Sequence, residues 1–563
     1  MKLLKKLALS FVSLAVCTGV VGCNNDSSSS SSAPKEMNYA ENIQTNMIEG
    51  EDYIEHAKNI DSDGFIYDDS MWYVNDLTEL PLPDPHIFVE EGTYYIVGTS
   101  DRSNGNVIDC YVTTDFNNYE LLAGIYDPSK FKGWEANSAQ IYAPEIYCFD
   151  GVYYMYYSAI SKDGKRYNSV VKSDNPDGPY EPIVNDVIDG FNNPVFEYGQ
   201  FDVLDATIFV DDDKQMYMYF AVSGANQHIV GVKMNSPYEA DWSTYTELVF
   251  PGNLDSKNVL RPLSWEMLKY YQIAEAPYMI KSNGKYYLTY SVNGCWNKYY
   301  SVCYAVSDSP LGNFVKPYKK DQVWTNLLLG YSGTGIADSK VYQQWSGFAS
   351  GTGHHCFFNI GNQTMIAYHA HQNRDWNSET SYTNRYFAID YLYFDENGVP
   401  FCNGPTWSPQ PLPEAISGYK NVAENAKVRV KNIENGDAIN DNYIVDNYNL
   451  SQEDGKEVVL GKGYSWVELT FDKEYEIGGL AIYNSAYYDK AVYEINYVDF
   501  QDGNSFDEIE FASDMFINDE TEFIFPNSAF TFEILKTIKT NKIVVCFNLP
   551  NGGQINEIKV LAK

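Results

Sequence analysis

One short pattern recurs five times along this 563-residue chain, and no other feature constrains the fold as much. Asp84-Pro85-His86-Ile87-Phe88 leads through Gly92 to Tyr94-Tyr95-Ile96-Val97. Ala143-Pro144-Glu145-Ile146-Tyr147 leads through Gly151 to Tyr153-Tyr154-Met155-Tyr156-Tyr157. Asp205-Ala206-Thr207-Ile208-Phe209 leads through Asp211-Asp212-Asp213 to Met216-Tyr217-Met218-Tyr219. Glu275-Ala276-Pro277-Tyr278-Met279 leads through Asn283-Gly284 to Tyr286-Tyr287-Leu288, and His354-His355-Cys356-Phe357-Phe358 through Gly361-Asn362 to Met365-Ile366-Ala367-Tyr368. Each copy reads as a β-hairpin: a short strand, a turn with Gly, Asn or Asp, and an aromatic strand. The copies lie roughly 60–80 residues apart, about the length of a four-stranded propeller blade. An all-β chain with a five-bladed β-propeller over residues 79–415 is therefore expected.

In a propeller the first strand of each blade lines the central channel, so matching positions converge. Asp84, Asp205 and Glu275 head three repeats and His354 heads the last; the second has Tyr142 there, with Glu145 three residues on. Neighbouring carboxylates raise one another's pKa, which lets one stay protonated while another is ionised. That division serves glycoside hydrolysis, where one group protonates the leaving oxygen and the other activates water.

Together these motifs resemble glycoside hydrolase family 43, over about residues 78–405. The resemblance includes Gly353-His354, Arg385, Asp390-Tyr391-Leu392 and Asp395-Glu396-Asn397-Gly398. It implies an inverting enzyme with Asp84 as general base, Glu275 as general acid and Asp205 raising and orienting the acid. Tyr142, Glu145 and Arg385 are the expected substrate contacts. For His354 two readings stay open: coordination of a Ca2+ ion in the channel through waters, or a hydrogen bond in the pocket floor. No cofactor is otherwise required. Ala206 stands where the family often has Pro, and Tyr142 where it often has Trp.

Composition narrows the partners. Lys+Arg 39 against Asp+Glu 76 gives a net charge of -37, which disfavours nucleic acid and polyphosphate ligands. The 49 tyrosines suit half-buried strands and polyhydroxylated ligands. Asp211-Asp212-Asp213 is read as a solvated turn in preference to a calcium loop. The seven cysteines beyond Cys23 show no CxxC pair, and Cys295–Cys303 is the one disulfide considered.

At the N-terminus Lys2, Lys5 and Lys6 precede an apolar run that ends at Gly22-Cys23. Residues 1–22 read as a lipoprotein signal peptide with Cys23 lipidated, 23–36 as a Ser-rich tether and 37–78 as an N-terminal extension. Pro405, Pro409, Pro411 and Pro413 mark a boundary. Beyond it, alternation in Trp466-Val467-Glu468-Leu469 and the closing Asn556-Glu557-Ile558-Lys559-Val560 predict a β-sandwich over 420–563. This part resembles a discoidin (F5/8 type C) galactose-binding-like, jelly-roll module, which implies carbohydrate binding.

The expected protein is an exported, membrane-anchored glycosidase acting on arabinose- or xylose-containing plant polysaccharide, first as an α-L-arabinofuranosidase. β-Xylosidase or endo-arabinanase activity is the alternative within the family; a non-catalytic surface glycan-binding lipoprotein and a protein-binding adhesin are the rivals outside it. Segments Ser103–Asn118 and Leu254–Tyr271 are read as inserts walling the pocket.

Overall fold

Five antiparallel sheets of four strands follow one another along the chain, each opening with one repeat. The computed structural model describes residues 69–563 apart from 76–79, 101–105, 132–133, 139, 184–186, 189–190, 193–195, 197–201, 225, 255–259, 262–265, 268–271, 298, 318–325, 331–348, 373–383, 407, 432–440, 450–457, 486–491, 493–494, 501–528 and 550. The signal peptide, the serine tether and Cys23 lie outside the described residues. The first strands are His86–Glu90, Ile141–Phe149, Val203–Val210, Ala274–Ser282 and Ala349–Ile360. Each packs on the next and the fifth returns to the first, closing a five-bladed propeller.

The uninterrupted aromatic runs of the second strands follow from burial on both faces. In Val152–Ile160, Met155 and Tyr157 enter the core shared with blade one, while Tyr156 enters the core shared with blade three. In Met216–Val222, Tyr217 and Tyr219 face blade four, and Met218 and Phe220 face blade two. Tyrosine suits such a layer because its hydroxyl can reach an acceptor at the rim. Tyr156 donates to Pro237 O at 2.6 Å and Tyr219 to Pro310 O at 3.0 Å.

Each blade has one non-glycine residue at positive φ in its first strand or just before it: Asp84 (56°), Ala143 (46°), Asp205 (58°), Ala276 (49°) and His354 (46°). In blades two to five this residue sits in a register shift, so it marks a bulge. A bulge takes its N–H out of the ladder, and a buried N–H must find another acceptor. Here the acceptor comes from the second strand of the preceding blade. Thr99 Oγ1 takes Ala143 N–H at 2.9 Å, Ser158 Oγ takes Asp205 N–H at 2.9 Å and Ser291 Oγ takes His354 N–H at 2.9 Å. His369 Nδ1 takes Asp84 N–H at 3.2 Å and so joins blade five to blade one. At the matching position blade three has Ala221, with no acceptor; there Asp205 Oδ2 takes Ala276 N–H at 3.0 Å.

Residues beyond the propeller form seven strands hydrogen-bonded into one sheet, which encloses its own apolar core. The strands Gly463–Asn484 and Ala529–Leu549 run through it, with register shifts near residues 470–479. Val467 and Leu469 before the shift and Leu480 and Ile482 after it meet in that core. The proline-rich stretch is a packed seam: Gln410–Pro411 pairs with Trp72–Tyr73, and Leu412 is buried.

Three expectations are corrected. Ser103–Asn118 is no insert, since it holds Ile108–Thr113, the third strand of blade one. Cys295 and Cys303 are free thiols: Cys303 faces the core between blades three and four, while Cys295 sits in a turn whose carbonyl accepts from His371. Asp211 and Asp212 are not merely solvated, for Lys281 of blade four bonds them at 2.6 and 2.8 Å. Of Leu254–Tyr271, the described part includes Glu266, fully buried and bonded by Tyr290 and Asn326 at 2.8 and 2.7 Å.

Replacing Ser291 by Ala strands the His354 N–H in the channel wall. Such a loss costs about 1–3 kcal/mol. Urea unfolding should show that destabilisation with the slope unchanged; no shift in midpoint would mean the inter-blade bond contributes nothing.

Candidate active site

The bulges determine which side chains meet at the channel mouth. Asp84, Asp205 and His354 occupy the positive-φ position of blades one, three and five, where Asp and His are tolerated better than branched residues. Glu275 lies one residue earlier: it pairs with Ser291 as Tyr142 pairs with Ser158. The three acids are thus not at identical positions, as the repeat alone suggested. They are nonetheless close enough to influence one another, since the charges of Glu275 and Asp84 both act on Asp205.

Asp84 is built to stay ionised. Thr99 donates to Oδ2 at 2.5 Å, and Arg385 Nη1 lies 2.5 Å from Oδ1. His354 Nδ1 approaches Oδ1 at 3.2 Å. His369 Nδ1 is 3.3 Å from the same oxygen but already accepts Asp84 N–H, so it bears no proton to give. Burial raises the Asp84 pKa, yet Arg385 and, after it, His354 overcome this and hold the carboxyl well below its ordinary value. Burial pushes His369 down to about 3, so it is a neutral acceptor.

Glu275 and Asp205 are both pushed toward the protonated form. Tyr300 donates to Glu275 Oε1 at 2.8 Å and Gln227 Nε2 to Oε2 at 2.6 Å. Burial still raises Glu275, and the charge of Asp84 adds to it. Asp205 is raised by burial and then by Glu275 and Asp84. Arg166 opposes both shifts from a distance; it is bound to Asp202 at 3.0 and 3.1 Å and to Ser223 at 2.7 Å. Asp84 and Asp205 are each 6% exposed, whereas Glu275 is half-buried and is the acid most open to a ligand.

Glycine explains the Gly353-His354 pair. A Cβ on Gly353 would lie 2.3 Å from Tyr300 Cε1. The Tyr300 ring stacks on His369 with centroids 5.4 Å apart. Close approach of the strand therefore seats the tyrosine that holds Glu275.

The other expected residues divide between two layers. Arg385 reaches across from blade five to Asp84 and is 18% exposed. Tyr142 is half-buried, at the register of Glu275. Glu145 lies a layer deeper, beside its hydrogen-bond partners Tyr147 (2.5 Å) and, through that hydroxyl, Thr207 (2.9 Å). Burial raises Glu145 to about 8 against those hydrogen bonds. It belongs to the channel filling beneath the acids. Around His354, the described residues include no group of three His, Cys, Asp or Glu side chains placed to bind a metal. A hard cation prefers six to eight oxygens, and Arg385 already neutralises the nearest carboxylate. The residues present do not fit a protein-ligated calcium site.

Sequence reasoning missed Tyr300, Gln227, Arg166, His369 and the hydroxyls of Thr99, Ser158 and Ser291. A signal existed for the acceptor series: Thr99, Ser158, Ser291 and His369 all follow the aromatic runs of their second strands within a few residues of the strand end.

The profile of glycosyl hydrolases family 43 matches residues 55–400. The chain belongs to that family. It is 29% identical over 249 residues to Beta-D-galactofuranosidase xynD of Aspergillus niger, covering 44% of this chain and 57% of that one. It is 29% identical over 256 residues to Xylosidase/arabinosidase 43A of Humicola insolens, covering 38% and 73%. The match thus spans little more than half the length of the first relative. A crystal structure of a thermostable family-43 glycoside hydrolase aligns at 26% identity and TM-score 0.48, over 61% of this chain and 99% of that one.

Two outcomes follow from the geometry. A folded-state pKa near 8 at Glu145 means the native state keeps a proton that the unfolded chain releases near 4.5. Its contribution to stability is full below about pH 4.5 and is lost as pH rises through about 8. Glu145→Gln should therefore melt at increasingly higher temperature than the parent between pH 6 and 9; parallel melting curves would contradict this. Ala221→Ser restores the acceptor that blade three lacks. The serine should capture Ala276 N–H, free Asp205 and lower kcat about tenfold, equal to about 1.4 kcal/mol, with the alkaline limb of the rate profile moved upward. An unchanged profile would show that the Asp205–Ala276 bond does not tune the site.

Proposed function

We propose that this family 43 member is an exported, inverting glycoside hydrolase that releases α-L-arabinofuranosyl units from arabinose- and xylose-containing plant polysaccharide. The observation that carries the reading is the division of the three acids into one held ionised and two pushed toward the protonated form. Asp84 takes a proton from water as the water oxygen attacks the anomeric carbon. Glu275 gives its proton to the departing glycosidic oxygen. Asp205, tied to Ala276 N–H beside Glu275, keeps the acid protonated and oriented. Asp84 then holds a proton and Glu275 is ionised, and exchange with solvent resets both.

Inversion requires room for the water between base and acid, about 6.5–9.5 Å between carboxyl groups. Arg385 fixes Asp84, and its exposed edge is offered to a sugar hydroxyl; Tyr142 offers a ring face. Both named relatives support a furanose or pentose substrate, a galactofuranosidase in one case and a xylosidase/arabinosidase in the other. β-Xylosidase activity is the second reading, favoured by that second name. A surface glycan-binding protein without catalysis would have no need for the supports around Glu275 and Asp84. The leader ending at Cys23 supports lipid anchoring, with the C-terminal unit holding glycan; no helix among the described residues is long and apolar enough to cross a membrane.

Glu275→Gln should lower kcat on arabino-oligosaccharides by at least 10²-fold, the usual scale of general acid catalysis. The loss should be smaller on aryl arabinofuranosides whose leaving group needs no proton. Equal losses on both substrates would remove Glu275 from the acid role.

A further inference from the structure

A second cavity lies between the last blade and the C-terminal unit, away from the acids. Its volume is about 560 Å3, within the range of small-ligand sites. The first strand of blade five runs from the catalytic layer at His354 to the turn after Ile360, and that turn lines the cavity. Six strand residues separate the two, roughly 20 Å.

Alternation on the closing strand Gly553–Ala562 places Lys559 there. Ile558, Val560 and Ala562 enter the C-terminal core, which leaves Glu557, Lys559 and Leu561 on the face toward the propeller. Lys559 is 2% exposed and lines the cavity. Its ammonium sits 5.1 Å from the ring centres of Tyr391 and Tyr483 and 5.4 Å from that of Tyr393. Among the described residues its hydrogen bond goes to Tyr393 Oη at 3.0 Å. Burial lowers its pKa to about 8, so it is still mostly charged at neutral pH. A buried ammonium has three donors, and leaving donors unmet costs free energy. Glu557 is no substitute, because burial pushes its carboxyl well above the ordinary range despite the charge of Lys559.

We propose that this cavity is a second saccharide-binding site, in which Lys559 donates to the hydroxyls of a neutral oligosaccharide that packs on Tyr391 and Tyr393. Asn421 and Asn447 also line it; the oxygen of Asn421 is taken by the N–H groups of Ala423 and Val560 and that of Asn447 by Asn421, so the pair offers amide donors. Tyrosine combines a flat apolar face with a polar edge, which matches a sugar ring. The net charge of -37 repels anions and favours a neutral ligand. The inference rests on the hydrolase reading for its choice of ligand: a site some 20 Å from the acids would hold the polymer being cut and raise its effective concentration at them.

The test uses the full chain carrying Glu275→Gln, titrated calorimetrically with linear arabino- and xylo-oligosaccharides. Two sites per chain are expected. Adding Lys559→Met, or plugging the rim with Asn362→Trp in the exposed turn, should remove one and leave the other. In the active enzyme both changes should leave kcat and KM for an aryl arabinofuranoside unaltered and raise KM for polysaccharide about three- to tenfold. One site in the Glu275→Gln chain, or two sites surviving both cavity changes, overturns the proposal. So does tighter binding of oligogalacturonates than of neutral oligomers. Two-site binding by a chain that hydrolyses no pentoside would sustain the cavity and sink only the hydrolase reading; hydrolysis with single-site binding would do the reverse.

Discussion

A propeller whose blades are joined at the channel mouth by side chain to backbone bonds has little freedom to misplace its acids. In each blade the residue at positive φ turns one N–H out of the ladder, and the preceding blade supplies the acceptor: Thr99, Ser158, Asp205, Ser291 and His369 in turn. An unmet N–H in this buried layer is costly, so each bond locks the angle between neighbouring blades as well as the local backbone. The last bond, from Asp84 N–H to His369 Nδ1, also fixes the backbone that carries the Asp84 carboxylate. Closure of the fold and assembly of the site are one event. This is why residues as far apart in sequence as Asp84 and Arg385 hold a fixed geometry.

The same ring explains how like charges are kept different. Asp84 and Asp205 are buried and Glu275 half-buried, and loss of water alone would raise all three. Asp84 escapes because a guanidinium and His354 lie against it. Asp205 and Glu275 receive hydrogen bonds from a backbone amide, a phenol and a carboxamide, all neutral, and these do not outweigh burial plus repulsion. The nearest counter-charge, Arg166, is spent on Asp202. Where the chain departs from its own repeat, at Ala221, a carboxylate has taken over a structural bond. That departure ties the Asp205 carboxyl to the backbone beside Glu275.

Much of this was legible from the amino acids. The five hairpins, their strand order and the acids heading them follow from periodicity and turn residues, because local patterns dictate local structure. The exact registers were not legible, since a bulge displaces one residue without changing composition; so Glu275 and Asp205 looked equivalent when they are one position apart. Glu145 looked like a contact to substrate because it is the one acid near the head of the second repeat, three residues after Tyr142, yet strand direction carries it a layer down. Supports such as Tyr300 and Gln227 arrive from the connections just before the third strands Ser301–Ser307 and His228–Ser236, and only tertiary packing brings them to Glu275. The cysteine pair 295 and 303 was close in sequence but faces different environments. At the C-terminus the alternation around Val467 and Ile558 was readable, whereas burial of Lys559 depended on docking against Tyr391 and Tyr393, which no local pattern announces.

The central claim is electrostatic: Asp84 is a carboxylate while the Glu275–Asp205 pair retains a proton. The most direct measurement is kcat/KM against pH for an unactivated arabino-oligosaccharide, which reports the ionisations of the free enzyme. The account predicts a bell whose acid limb falls below the ordinary Asp range and whose alkaline limb lies above the ordinary Glu range, the latter belonging to the Glu275–Asp205 pair. A profile with both limbs between about pH 4 and 5, where unperturbed carboxylates titrate, would contradict it.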